Sequence, residues 1–383
     1  MIYYSQIAAP YLQFLGKVRA VPTTRSAIDL LLAGEQQNAA QALDAIIDAN
    51  AGDAHAYGAL GFIAYQNLKV KLALQLLTRA VKLDATSGAN QALLAVCHLS
   101  LKQYEQAVTA FRDALRRDSG LHVAHTLMWS AIGGSGRLQP AVAALKTALG
   151  QHWEQTRADD ITVPKVQIED TTLCIVDCAN HLLTERAFAN CMACCAFERV
   201  LWLTDRPVSI PGVEAVLIRP IRSSADYSRF MIKELLHHIH TEYVLTAQWD
   251  GYVINAGAWS PEFLLFDYIG ARWDHTQYRK VAHHDVGNGG FSLRSRALLE
   301  ALQDPAIKLL HPEDGMICRE YRGYLEDKHG IAFAPDDIAD RFSFEHIEQP
   351  VLPFGFHGIT NLARFAAVSG CATLDFFFDA GTG

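Results

Sequence analysis

The first 150 residues carry an apolar pattern that returns every 34 positions. Ala39, Leu43 and Ile46 are followed by Ala73, Leu77 and Ala80, then by Ala107, Phe111 and Ala114, and last by Ala141, Leu145 and Ala148. Spacings of four and three put each triplet on one face of a helix. The small residues at 39, 73, 107 and 141 predict an antiparallel helix approaching closely. The preceding half of each unit supplies that helix, most clearly over 55–67 with Tyr57, Leu60 and Gly61, and least clearly in the first copy. Residues 50–53, 84–88 and 118–120 hold the turn-forming side chains expected between units. Residues 1–19 contain Tyr3, Tyr4, Tyr11, Leu12, Phe14 and Leu15, and read equally as an amphipathic cap or as a homodimer contact.

At the residues just named, segment 20–155 resembles tetratricopeptide repeats, about four units long. The resemblance implies a helix-pair solenoid whose groove receives a peptide or partner protein, or one that only packs against the rest of the chain. From about residue 165 the pattern changes. Segments 171–178, 199–205, 213–219 and 242–247 read as buried strands, and 181–195 and 227–240 as helices. This alternation predicts an α/β domain over 165–383 with a mostly parallel central sheet, so the whole chain is α followed by α/β. Ligands of such sheets bind beyond the carboxyl ends of the strands. Asp177, Asp205 and Asp250 each fall at or near one of those ends.

Composition supports two folded domains. The chain has 383 residues, 50% hydrophobic and 19% charged, which excludes a disordered chain. A net charge of −8 gives no general field for nucleic acid or an anionic membrane. No apolar run is long enough to span a bilayer, and the N-terminus lacks the pattern of a secretory signal. Eight cysteines are then expected as reduced thiols in a cytoplasmic protein.

Four segments of the second half carry candidate chemistry. Gln248, Trp249, Asp250 and Gly251 put a carboxylate directly after a strand, where it can hold a hard divalent cation such as Mg²⁺ or Mn²⁺, or simply make an Asp-Gly turn. Gly287, Asn288, Gly289 and Gly290 allow backbone to approach a ligand, with Asn288 and Arg294 adding donors before a helix over 295–302. Glu313 and Asp314 precede an expected helix over 315–328, as an N-cap pair or with a general base among them. His357 lies between glycines and aromatics, accessible to a metal or merely a satisfied histidine.

Taken in that order, the four segments resemble the common core of GT-A glycosyltransferases. Their wording, QWDG, VGNGGFSLRS, EDGMICRE and FGFHG, looks more specifically like a glycosyltransferase-like family defined by those phrases. The resemblance implies a metal-assisted, inverting transfer of sugar from a nucleotide sugar, with uridine diphosphate favoured, to a peptide, protein or saccharide. By position it implies Asp250 and His357 as metal ligands, Asp314 as base, Glu313 on sugar or acceptor, and Gly289 and Gly290 beside the sugars. Gln248 stands where the usual acidic pair has its first Asp, so Arg219, Arg222, Arg229 and Lys233 are candidates to share the phosphate charge. The readings from other classes are a non-catalytic adaptor that binds a nucleotide sugar, and a nucleotidyltransferase.

Other signals are weaker. Cys191, Cys194 and Cys195, with Cys174 and Cys178, suggest zinc less than buried small hydrophobes on a helix face. His237, His238 and His240 close a helix, His283 and His284 with Asp285 sit before the glycine loop, and Trp249, Trp259 and Trp273 read as core or as stacking platforms.

Overall fold

The structure, a computed structural model, describes residues 4–118, 120–156, 164–273, 285–347 and 349–368. Tyr3, His283 and His284 lie outside the described residues. The chain divides into two compact units, one of residues 1–145 together with the chain from Ala363, the other Lys146–Leu362.

The first unit is helical throughout: α1 (Tyr4–Lys17), α2 (Pro22–Leu32), α3 (Gln36–Ala49), α4 (Ala54–Gln66), α5 (Val70–Leu83), α6 (Gly88–Ser100), α7 (Tyr104–Arg117), α8 (His122–Gly134) and α9 (Leu138–Thr156), whose second half belongs to the other unit. Helices α3, α5, α7 and α9 start 34 residues apart, as do α4, α6 and α8. The paired helices have the arrangement of a tetratricopeptide solenoid. Ala73, Leu77, Ala80, Ala107, Phe111 and Ala114 are completely buried, as the 34-residue pattern requires. The turn inside each pair repeats as well. Gly34, Leu68, Lys102 and Gly136 all adopt left-handed backbone, with φ of 85°, 59°, 58° and 78°. Between pairs, Asp53 caps α4 by accepting from the His55 and Ala56 amides, and Ser87 caps α6. The first copy has a full partner helix in α2, opened by Pro22. Helix α1 buries a stripe of Ile7, Tyr11 and Leu15; Tyr11 stacks on Phe62 with centroids 4.9 Å apart and donates to Asn90 at 2.6 Å.

The second unit is built on a six-stranded sheet of order β3-β2-β1-β4-β6-β5. Its strands are β1 (Val166–Val176), β2 (Cys195–Thr204), β3 (Glu214–Leu217), β4 (Tyr243–Ala247), β5 (Tyr268–Ile269) and β6 (Phe291–Ser295). β1 pairs in parallel with β2 and β4, and β2 with β3, while β6 runs antiparallel to both β4 and β5. Helix α10 (His181–Cys194) joins β1 to β2, and α11 (Ser224–Lys233) leads toward β4. Cys174, Val176, Leu201, Leu203 and Val244 pack with Phe230, Met231 and Leu235 into one buried cluster. The mostly parallel sheet is therefore as the alternation predicts.

Four local expectations change, the first being the helix over 227–240, which ends at Lys233 and is followed by a 3₁₀ turn at Leu235–His238. Residues 291–295 form β6, ahead of α12 (Arg296–Ala301), with the polar Ser292 and Arg294 buried in the strand and satisfied by Thr246 and Glu313. The expected helix over 315–328 is broken into α13 (Glu313–Gly315), a π turn at Met316–Glu320, and α14 (Arg322–His329). π turns of this kind recur at functional sites. Cys195 opens β2 and so does not share the helix face of Cys191 and Cys194; all seven described cysteines are free thiols. The unit is completed by α15 (Asp336–Phe342), the strand pair β7 (Ser343–Phe344) and β8 (Gly355–Phe356), and the first residues of α16 (Ile359–Val368), whose remainder belongs to the other unit. No described helix is long and apolar enough to cross a membrane.

Candidate functional site

β4 is buried to its last residue, so the chain emerging from it is held at the carboxyl edge of the sheet. There segment 248–251 meets the chain after β8. The Gly358 amide donates to the Asp250 carbonyl at 3.1 Å, and Val253 bridges Gly355. Gly251 has to be small, because a Cβ would stand 2.7 Å from the Phe356 carbonyl oxygen. This close approach places His357 against Asp250, with Nε2 3.4 Å from Asp250 Oδ1 and 3.2 Å from Gln248 Oε1. On the other side of the ring, Nδ1 lies 3.3 Å from Glu345 Oε1.

Loop 287–290 closes over the same histidine. A Cβ at Gly290 would fall 2.1 Å from His357 Nε2, and one at Gly289 would fall 2.3 Å from Glu313 Oε1. Asn288 takes left-handed backbone, φ 58°, which Asn tolerates better than most residues. Its amide nitrogen donates to Glu345, and its side-chain oxygen accepts from the Gly290 amide at 3.1 Å. Asp314 accepts from the Gly289 amide at 3.3 Å and from the Gly315 amide at 2.7 Å.

These contacts surround a cleft of about 710 Å³. Gln248, Asn288, Gly289, Gly290, Glu313, Asp314 and His357 are on its walls, from segments up to 109 residues apart. Asp250 sits directly behind His357, 8% exposed. Burial, and then the neighbouring Glu313 charge, raise the Asp314 carboxyl above its ordinary value, which makes it a stronger base once ionised. Burial acts against a charged His357, but Asp250 and Glu345 outweigh it and hold the imidazole well above the usual histidine value. Burial likewise opposes charge on Glu345, and His357 outweighs it and lowers that carboxyl.

Among the described residues no three His, Cys, Asp or Glu side chains form a ready metal cluster. The donor set still fits a hard divalent cation that arrives with a phosphate, which needs only one or two carboxylate ligands from protein. Asp250 Oδ1 is buried and receives no well-directed hydrogen bond, and its neighbours are a ring nitrogen and, through that ring, an amide oxygen. Glu345 on the far nitrogen is the partner that fixes the ring of a metal-binding histidine.

Several expected residues lie elsewhere. Arg294 is completely buried in β6, donating to Ser292 at 3.1 Å and reaching Glu313 at 3.4 Å, so it supports the cleft from within the core. Gly287 packs beneath Trp273, and Trp273 lies on the wall. Trp249 lies under the Lys146 ammonium, 4.3 Å from ring centroid, and Trp259 packs on Phe263 and Phe354. Arg219 and Arg229 face Glu234, Arg222 is exposed, and Lys233 donates to the Leu302 carbonyl; none of the four is on the wall. Asp177 spends its carboxylate on the 179–180 turn. Asp205 borders a separate cavity of about 620 Å³ with His181, its Oδ1 3.5 Å from Nε2.

The sequence reading missed Glu345, Ser228 and His311. Glu345 has no local signal, since its partners are 57 positions and 12 positions away along the chain. Ser228 does have one, as a polar side chain between Tyr227 and Phe230 on an otherwise apolar face, and it is 1% exposed.

Comparison with known proteins adds a boundary. Residues 213–357 match the sequence profile of a family described as a protein of unknown function (DUF5672). The match ends on His357. No curated protein matches the chain. Among solved structures, one of MamA protein is 20% identical, covering 41% of this chain and 82% of its own, with a TM-score of 0.31. A second MamA crystal structure is 22% identical, covering 41% and 86%, with a TM-score of 0.29. A mutant O-GlcNAc transferase of Thermobaculum terrenum is 17% identical, covering 59% and 44%, with a TM-score of 0.27.

Proposed function

We propose that the second unit transfers a sugar from a nucleoside diphosphate sugar to an acceptor hydroxyl by a single, inverting displacement. The observation that supports this reading is the common cleft. A half-buried carboxylate suited to receive a proton, Asp314, shares it with the corner of Gln248, His357 and, behind it, Asp250. The acceptor oxygen attacks the anomeric carbon, the bond to the diphosphate breaks with its electrons leaving on that group, and the acceptor proton passes to Asp314. Glu313 is the less available of the two carboxylates, because Arg294 and Ser228 already engage it.

Asp250 and His357, with Gln248 beside them, would hold Mn²⁺ or Mg²⁺, and Glu345 would fix the His357 ring. When bound, the cation supplies neutralisation of the departing diphosphate. The four cations of segment 219–233 are off the wall, whereas Arg319 is on it and would share the charge of the diphosphate with that corner. The resemblance favours uridine diphosphate as the carrier, and the repeats suit recruitment of a peptide or protein acceptor.

The test is to incubate the full chain with a panel of nucleotide sugars and Mn²⁺, and to follow nucleoside diphosphate release and product mass. A hexose added to an acceptor with diphosphate released supports the reading. Transfer of a nucleotide would make the protein a nucleotidyltransferase, and binding without any release would make it an adaptor.

A further inference from the structure

The cleft holds a second hydrogen-bonding group near Asp314. His311 stands exposed on its wall, one residue before Pro312 and three before Asp314. Its Nδ1 is 2.8 Å from Ser228 Oγ, and its Nε2 is 3.3 Å from Ser224 Oγ. Ser228 is buried beneath it, 3.3 Å from Glu313 Oε2, and it accepts from the Glu313 amide at 3.2 Å.

One arrangement of the protons in this chain satisfies both Glu313 oxygens. Glu313 is 6% exposed, and a buried carboxylate oxygen without a donor is costly. Arg294 serves Oε1, so the single Ser228 proton is drawn to Oε2. The Ser228 oxygen then acts only as an acceptor, for the Glu313 amide and for His311. In that arrangement His311 carries its proton on Nδ1, and its Nε2 lone pair faces Ser224 Oγ and the cleft. Ser224 Oγ at 3.3 Å marks the place where a hydroxyl fits that lone pair.

We infer that His311 Nε2 receives a hydroxyl of the bound acceptor, with Ser228 and Glu313 as positioning residues that hold the ring lone-pair outward. The inference rests on the sugar-transfer reading for the identity of the reaction, and on the hydrogen-bond chain for the orientation of the ring. It names the acceptor class as an alcohol and gives the segment 311–314 two functions: His311 orients the acceptor and Asp314 takes its proton.

Two readouts test it. Imidazole ¹⁵N–¹H correlation spectra of the full chain, recorded where the ring is neutral and assigned by loss of the signal in His311→Gln, should show the Nδ1–H tautomer in the wild type. Ser228→Ala should shift the population toward Nε2–H. In the transfer assay, His311→Asn keeps the reach to Ser228 but withdraws from the cleft, and should raise the acceptor KM about tenfold, the effect of one lost uncharged hydrogen bond. His311→Gln, whose amide oxygen approaches the Nε2 position, should restore most of that loss. A wild-type ring in the Nε2–H form overturns the inference, as does an unchanged acceptor KM in His311→Asn. If the wild type transfers sugar from no donor, the sugar-transfer reading fails instead. Hydroxyl capture is then read by titrating methyl glycosides into the labelled protein, where a saturable shift of His311 Nε2 supports the inference and its absence overturns it.

Discussion

The two units solve the problem of specifying structure in opposite ways. In the helical unit a 34-residue pattern recurs, so one device serves four times: the left-handed turn falls at 34, 68, 102 and 136, and two of the four sites do without glycine. In the sheet unit no position recurs. Gly289 lies against Glu313 and Arg294, and Gly290 against His357, contacts that each occur once in the chain. A repeat tolerates a poor local choice because neighbouring copies carry the register, whereas the cleft depends on contacts that each occur once.

The sharpest way to break this comparison is at the cleft. Asp314→Asn should lower sugar transfer by roughly 10²–10⁴-fold, the usual worth of a positioned base, while calorimetry still shows donor binding. Glu345→Gln removes the anion that fixes His357 and should weaken Mn²⁺-dependent donor binding about 10–100-fold, measured by the same titration. Gly290→Ala drives a methyl group into the His357 ring and should destabilise the protein by about 1–3 kcal/mol in denaturant unfolding.

A pH profile tests Asp314 in the intact protein. The base works only when ionised, and its burial and Glu313 raise its pKa, so activity should fall as pH drops through a value above the ordinary aspartate value of about 3.9. A limb at or below that value would remove the proposed advantage of burial. The smallest expected effect lies in the repeats. Leu68→Gly relieves left-handed backbone at an exposed site and should stabilise the protein by about 0.5–1 kcal/mol.

What the sequence reveals follows the same division. Periods of 34 and of three to four are local: the helix expected over 55–67 is α4 (Ala54–Gln66), and the triplets beginning at 39, 73, 107 and 141 fall in α3, α5, α7 and α9. The strands of the parallel core are legible as apolar runs, but β6 is not, because Ser292 and Arg294 are polar residues satisfied inside the core by Thr246 and Glu313. The order of the four segments points to the cleft, yet which side chains reach its wall depends on packing. Arg294 and Asp250 look alike as ligand candidates in sequence. One is fully enclosed and the other lies a ring's thickness behind the surface. Glu345 has no sequence signal, because its importance comes only from where β7 and β8 bring it.

The account depends most on the corner formed by Asp250, Gln248 and His357 recognising a diphosphate with its cation. Thermal unfolding of the full chain with a nucleotide-sugar panel and Mn²⁺ tests it directly, since a ligand at a hundred times its Kd stabilises the native state by about 2.7 kcal/mol. The account predicts a saturable rise in Tm with at least one nucleotide sugar, dependent on Mn²⁺ and lost in Asp250→Ala. A Tm unmoved by every donor, or a rise that persists in Asp250→Ala, would contradict it.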